Sequence, residues 1–83
     1  MINPVFPLQL TEAELNLCLK VATQSTRDEV FYAIDTGSEC NLWECEWVQM
    51  SDKLRAHADK KGTQKKEEMR QLAQRIEQEI KRR

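Results

Sequence analysis

The hydrophobic positions between residues 41 and 60 recur at the spacing of an α-helix. The large apolar side chains of this segment are Trp43, Trp47, Met50 and Leu54, which follow one another at intervals of four, three and four residues. Steps of this size return to one face of a helix on nearly every turn, so the pattern predicts an amphipathic helix. Both tryptophans of the chain lie on this stripe. The rest of the chain has to cover the stripe or leave it for a partner.

A second, narrower stripe follows Gly62. Thr63 can cap a helix that continues to the end of the sequence, and the apolar positions of that helix are Met69, Leu72, Ala73, Ile76 and Ile80. Two long helices predict an antiparallel hairpin whose packing residues are Trp43, Trp47, Met50, Leu54, Leu72, Ile76 and Ile80. The alternative is one long helix that runs through Gly62 and dimerises as a coiled coil, because glycine inside a helix costs only about 1 kcal/mol relative to alanine.

Two short helices are predicted before the hairpin. Residues 11–14 (TEAE) have the form of a capping box, and so do residues 26–29 (TRDE). Gly37 can supply the left-handed residue that ends the second helix. The expected buried face of this second helix consists of Val30, Phe31 and Ile34.

The first ten residues form an apolar arm. Pro4 and Pro7 fix their own backbone angles and favour extended conformations in the residues before them. Such an arm lies across its own core or swaps onto a second subunit. The predicted fold class is therefore all-α, a single helical domain over residues 1–83, with the arm at residues 1–10 and a frayed basic tail at residues 78–83.

Composition supports a small helical domain and indicates a reducing compartment. Two glycines and two prolines with 33% charged residues are typical of helices. No apolar run approaches the roughly 18 residues that span a bilayer. The N-terminal residues lack the basic start and apolar core of a signal peptide, and the three cysteines are an odd number. We therefore expect free thiols and a cytoplasmic protein.

Charge is distributed unevenly along the chain. Residues 1–59 hold four Lys or Arg against ten Asp or Glu, whereas residues 60–83 hold nine against four. The candidate nucleic-acid contacts in the basic part are Lys60, Lys61, Lys65, Lys66 and Arg70. Carboxylates interrupt the later basic residues on the helical wheel, so nucleic-acid binding is the alternative and not the main hypothesis.

Catalytic and metal chemistry find little support in the sequence. The candidate zinc ligands are Cys18, Cys40, Cys45 and His57. If Cys45 and His57 share a helix, a rise of 1.5 Å per residue separates them by about 18 Å, too far for one ion. Neither glycine belongs to a phosphate-binding loop. We predict no enzymatic activity, no cofactor and no metal.

Protein interaction is the predicted function. Leu42, Cys45 and Val48 lie off the tryptophan stripe and give the third helix a second apolar side. The first two helices could cover that side; otherwise it serves a partner, together with Phe6 of the arm. We expect a small regulatory or interaction module that forms a homodimer, with Phe6, Leu42, Cys45 and Val48 as its partner-binding residues.

Overall fold

Four helices and a two-stranded sheet make up the computed structural model, which describes residues 5–82. Their order is β1 (Val5–Leu8), α1 (Glu12–Val21), α2 (Gln24–Thr36), β2 (Cys40–Trp43), α3 (Glu44–Ala58) and α4 (Lys66–Arg82). The largely helical class is confirmed, whereas the two strands were not predicted. The parts of the predicted arm and tail at residues 1–4 and 83 lie outside the described residues.

A side-chain cap sets the start of α1, whereas α2 begins without a side-chain capping bond. The capping box predicted for α1 is present, since Thr11 Oγ1 accepts from the Glu14 N–H at 3.2 Å and a Glu14 carboxylate oxygen accepts from the Thr11 N–H at 2.9 Å. For α2 the prediction was wrong: the N-cap is Thr23, and Thr26 lies buried inside the first turn. The Thr26 hydroxyl donates to the Thr23 carbonyl, a local bond that competes with a capping role. Gly37 ends α2 in the left-handed conformation, with φ of 67°.

The antiparallel pairing of β1 with β2 divides their side chains between two faces. The paired residues are Val5 with Trp43, Phe6 with Leu42, Pro7 with Asn41, and Leu8 with Cys40. Because side chains alternate along a strand, one face carries the buried Phe6, Leu8, Cys40 and Leu42. We call the other face, which carries Val5, Pro7, Asn41 and Trp43, the outer sheet face. Pro7 has no N–H to donate, which suits a strand at the edge of a sheet.

The helix predicted from Asn41 begins instead at Glu44. Trp43 is extended, with φ of −71° and ψ of 154°, and its N–H donates to the Glu46 carboxylate at 2.9 Å. A strand has a period of two residues, so Leu42 turns into the core and Trp43 turns outward. Their exposed fractions are 1% and 51%. The prediction that Trp43 packs in the hairpin core was therefore wrong.

Trp47 joins α3 to the sheet. Its side chain is fully buried, and its Nε1–H donates to the Phe6 carbonyl at 2.6 Å. This bond satisfies the one polar atom of a large apolar side chain, as buried tryptophans require. The other predicted packing residues Met50, Leu54, Leu72 and Ile76 are buried, and Ile80 is partly buried against the same core.

The chain turns between α3 and α4 at Gly62, whose φ is 82°, so it does not continue as one helix. Ion pairs join Arg55 to Glu77 at 2.9 Å and Asp59 to Arg70 at 3.1 Å. Positions later on α3 thus meet positions earlier on α4, which makes the two helices antiparallel. The α4 helix continues through Arg82, across most of the predicted tail.

Arg75 ties α4 to the start of α1. Its guanidinium donates to both carboxylate oxygens of Glu14, at 2.8 and 2.7 Å, and to the Gln9 carbonyl at 3.2 Å. Burial raises the pKa of Glu14, but the Thr11 backbone N–H and the Arg75 guanidinium outweigh it, so that the pKa lies below its ordinary value.

No helix among residues 5–82 is both long enough and apolar enough to cross a membrane.

Candidate interaction surface

Five large hydrophobic side chains remain exposed in the described part of the chain. Their exposed fractions range from 44% to 59%, and they are Val5, Phe31, Tyr32, Trp43 and Val48. Single exposed apolar residues are common on protein surfaces and need no explanation. The evidence for an interaction surface therefore comes from how these five side chains are grouped and from the charged residues near them.

Val5 and Trp43 form a cross-strand pair on the outer sheet face. They are directly opposite in the register of β1 and β2, and both are more than half exposed. Side chains at such positions lie about 5 Å apart at Cβ, close enough to make one continuous apolar surface. The same pairing that buries Phe6 and Leu42 thus leaves a tryptophan and a valine together in solvent.

Val48 lies in the second turn of α3, shortly after Trp43. Its neighbours Trp47 and Met50 face the core, whereas Val48 is 44% exposed. Cys45, in the first turn, is partly exposed. The outer sheet face and the beginning of α3 therefore both present apolar side chains to solvent.

Phe31 and Tyr32 lie on the exposed side of α2. The buried positions of this helix are Thr26, Val30 and Ala33, and a step of 100° per residue carries Phe31 and Tyr32 away from them. The prediction that Phe31 is buried was therefore wrong. The spacing of Thr26, Val30 and Ala33 was the sequence signal that could have given the correct helix face.

Acidic residues surround these exposed side chains in the sequence. Residues 28–52, which we call the acidic segment, contain seven Asp or Glu and no Lys or Arg. The exposed apolar side chains in this segment are Phe31, Tyr32, Trp43 and Val48. Its exposed carboxylates Asp28, Glu29, Asp35, Glu39 and Asp52 form no ion pair within residues 5–82. The segment consequently combines exposed aromatic area with uncompensated negative charge.

The four partner-binding residues predicted from the sequence fall into two groups. Phe6 and Leu42 are 5% and 1% exposed, so both belong to the core and are corrected as surface candidates. Leu42 was misplaced because the strand period, and not the helix period, governs residues 40–43, and Phe6 was misplaced because β1 pairs with this strand and shares its buried face. Cys45 and Val48 do reach the surface. Val5 and Trp43 were missed because their exposure depends on a pairing between distant parts of the chain.

The basic residues predicted to contact nucleic acid fall into two groups, those without an ion pair and one that is paired. Residues 60–66, which we call the basic turn, bring together Lys60, Lys61, Lys65 and Lys66, and in the described structure none of these lysines is within salt-bridge distance of a carboxylate. Arg70, by contrast, is paired with Asp59 at 3.1 Å and Glu67 at 3.6 Å. The turn therefore keeps its positive charge, whereas that of Arg70 is neutralised.

The three cysteines and His57 do not form a common site in the described residues. Cys18 and Cys40 are fully buried, and burial raises the pKa of each thiol to about 12, with Cys40 adding to the shift of Cys18. Cys45 and His57 both lie on α3, twelve residues apart. Among residues 5–82 no three His, Cys, Asp or Glu side chains are placed to hold a metal ion.

A groove of about 570 Å³ runs between α3 and α4. Its lining includes Arg55 and Arg70, whose charges are already satisfied by Glu77 and Asp59. These two arginines therefore leave no unpaired charge in the groove for a ligand. The groove also lacks the apolar floor that is typical of small-molecule sites.

Comparison of the chain with protein-family profiles, with curated proteins and with solved structures finds no match.

Proposed function

We propose that this chain is a small, non-enzymatic protein-interaction module that forms a homodimer through the outer sheet face and the adjoining start of α3. The observation that carries the proposal is the Val5–Trp43 pair, in which two directly opposed apolar side chains are both more than half exposed. Tryptophan is enriched among the residues that dominate binding energy at protein interfaces.

The exposed apolar area of Trp43 is large enough to contribute substantially to the free energy of dimerisation. Half of a tryptophan side chain is about 100 Å², and burying it contributes about 2.5 kcal/mol at 25 cal/mol per Å². In a two-fold dimer each contact occurs twice, so that the two copies of Trp43 alone contribute about 5 kcal/mol. Val5 and Val48 add to this contribution, which offsets the free-energy cost of association.

A small chain also benefits from association. A domain of this size buries a smaller fraction of its surface than a large one, and its own core often supplies only about 3–5 kcal/mol of stability. A dimer interface supplements that stability. Three free thiols, two of them fully buried, fit action in a reducing compartment, and we place the module in the cytoplasm on this ground.

Sedimentation equilibrium of three proteins tests the proposal. The wild type is compared with Trp43→Ala and with Gln71→Ala, a control on the exposed side of α4. We expect Trp43→Ala to raise the dimer dissociation constant at least about tenfold with unchanged helicity, and Gln71→Ala to leave it unchanged. A wild type that stays monomeric at every concentration, or equal dissociation constants for all three proteins, would contradict the proposal.

The second candidate function is nucleic-acid binding, and the unpaired lysines of the basic turn are the observation that favours it. Such clusters neutralise phosphates and give salt-dependent binding. The paired state of Arg70 and the carboxylates Glu67 and Glu68 in the first turn of α4 reduce this surface. Replacing Lys60, Lys61, Lys65 and Lys66 by Gln should abolish retention of duplex DNA if this function exists. Absence of retention by the wild type would exclude it.

A further inference from the structure

We infer that the homodimer is antiparallel and that the basic turn of each copy contacts the acidic segment of the other. The inference rests on the proposed function and identifies the groups that give the interface its charge. It follows from which charges remain unpaired after folding and from where α3 places them.

Intrachain ion pairs neutralise the arginines of α3 and α4 but not the lysines of the turn. Arg55, Arg70, Arg75 and Arg82 all pair with carboxylates of their own chain. The lysines of the basic turn have no such partner in residues 5–82, and Lys60, Lys61 and Lys65 are exposed. Folding thus leaves a concentrated positive charge at one place, on side chains that reach solvent easily.

The acidic segment carries the complementary charge. It holds seven carboxylates without one Lys or Arg, and it also holds four of the five exposed large hydrophobic side chains. Carboxylates attract lysine ammonium groups, and the faces of Trp43, Phe31 and Tyr32 add cation–π attraction. A lysine-rich loop therefore complements the charge of this segment better than an acidic or uncharged partner does, and this chain carries such a loop.

The length of α3 sets the geometry. Trp43 directly precedes α3, and the basic turn follows its C-terminal end, so the 15 residues of the helix separate the two sites by about 22 Å. When two copies lie antiparallel along α3, the turn of each copy is level with Trp43 of the other. One two-fold axis then generates two identical contacts and closes the assembly.

Charge exchange tests the inference by sedimentation equilibrium. The first variant replaces Lys60, Lys61, Lys65 and Lys66 by Glu, and the second replaces Asp28, Asp35, Glu39 and Asp52 by Lys. All four of these carboxylates are exposed and lie outside the helix caps. We expect each variant alone to dimerise at least about 30-fold more weakly than wild type, and an equimolar mixture to regain wild-type affinity as a heterodimer.

A net-charge control excludes non-specific attraction in the mixture. Lys20→Glu, Lys53→Glu and Lys81→Glu together reverse three exposed charges outside the turn. This triple variant should not regain wild-type affinity when it is mixed with the second variant. Raising the salt from about 50 to 500 mM should weaken the wild-type dimer, because the Debye length shortens several-fold. Circular dichroism verifies that every variant retains its helices.

The outcomes separate the inference from the proposed function. If the first variant dimerises like wild type while Trp43→Ala does not, the contact with the turn is wrong and the interface at the outer sheet face stands. If that variant dimerises normally but loses retention of duplex DNA, the lysines serve nucleic acid and the inference is overturned. If Trp43→Ala and both charge variants leave the mass unchanged, the proposed function fails as well.

Discussion

The two faces of the small sheet differ in burial although both carry large apolar side chains. Phe6 and Leu42 on one face are 5% and 1% exposed, while Val5 and Trp43 on the other are 55% and 51% exposed. All four residues belong to the same pair of strands, and each faces its own partner directly. The comparison shows that burial in this region follows the strand period and the elements that cover each face, and not the hydrophobicity of the residue.

The two tryptophans make the same point four residues apart. Trp47 is fully buried, and its indole N–H bonds the Phe6 carbonyl, which fixes α3 against β1. Trp43 is half exposed, and its backbone N–H donates to a Glu46 carboxylate oxygen at the start of α3. We therefore assign Trp47 to stability and Trp43 to association. Substitution of Trp47 should mainly lower the free energy of unfolding, and substitution of Trp43 should mainly weaken the dimer.

The largest effect is expected from Trp47→Ala. Removing a buried tryptophan costs about 3–5 kcal/mol, which approaches the whole stability of a domain of this size. Urea unfolding monitored by circular dichroism should show a largely unfolded variant. Trp43→Ala, its matched control, should lower the unfolding free energy of the monomer by less than about 1 kcal/mol. Equal losses at the two positions would remove the distinction between them.

Aspartate substitutions probe the same contrast at Leu42 and Val48. Leu42→Asp places a charge in the core and should abolish cooperative unfolding, since an unpaired buried charge costs several kcal/mol, on the order of the domain's stability. Val48→Asp should keep native helicity and weaken the dimer about tenfold or more. Far-ultraviolet circular dichroism and sedimentation measure the two properties separately. Unfolding of Val48→Asp would show that Val48 belongs to the core.

Alkaline pH should destabilise the core through Cys18 and Cys40. Both thiols have a pKa near 12 in the folded chain against an ordinary value of 9.0, so their contribution is fully present below pH 9 and is lost as the pH rises towards 12. The expected loss is about 1 kcal/mol per pH unit for each thiol between these limits. Urea unfolding at pH 8, 9 and 10 measures it, and a double Cys18→Ala, Cys40→Ala variant should show a flatter dependence. An identical slope in both proteins would contradict the assignment.

The smallest effect is expected at the Glu14–Arg75 contact, which joins the N-terminal half to α4. Arg75 is about half exposed, so Arg75→Gln should cost only about 0.5–1 kcal/mol at neutral pH. Because the folded pKa of Glu14 is lowered, its contribution is present above the ordinary value of 4.5 and is lost as the pH falls through the folded pKa. Thermal unfolding from pH 7 to 3 should show less acid sensitivity in Glu14→Gln. Unchanged sensitivity would mean that this contact does not affect acid stability.

Local signals in the sequence predicted much of the helical part. The capping box at Thr11, the left-handed Gly37 and the stripe from Met69 to Ile76 each depend on residues within a few positions of one another. The structure confirms these elements because short-range hydrogen bonds and helix periodicity determine them.

The sheet and the exposed surface could not be predicted in the same way. Residues 40–43 read CNLW, and their apolar residues continue the helical spacing of the segment that follows. Only pairing with Val5–Leu8, more than thirty positions away, makes them a strand. Similarly, the sequence placed the basic residues 60–66 together, but the pairing of Arg70 with Asp59 became visible only in the folded chain.

The molar mass in solution, measured by light scattering over a concentration series, tests the central claim most directly. The outer sheet face as a homodimer interface predicts that the mass rises with concentration towards twice the 9.8 kDa of one chain. Under the same conditions Trp43→Ala should remain near the mass of a single chain. A wild type that stays at the mass of one chain throughout the series would contradict the claim.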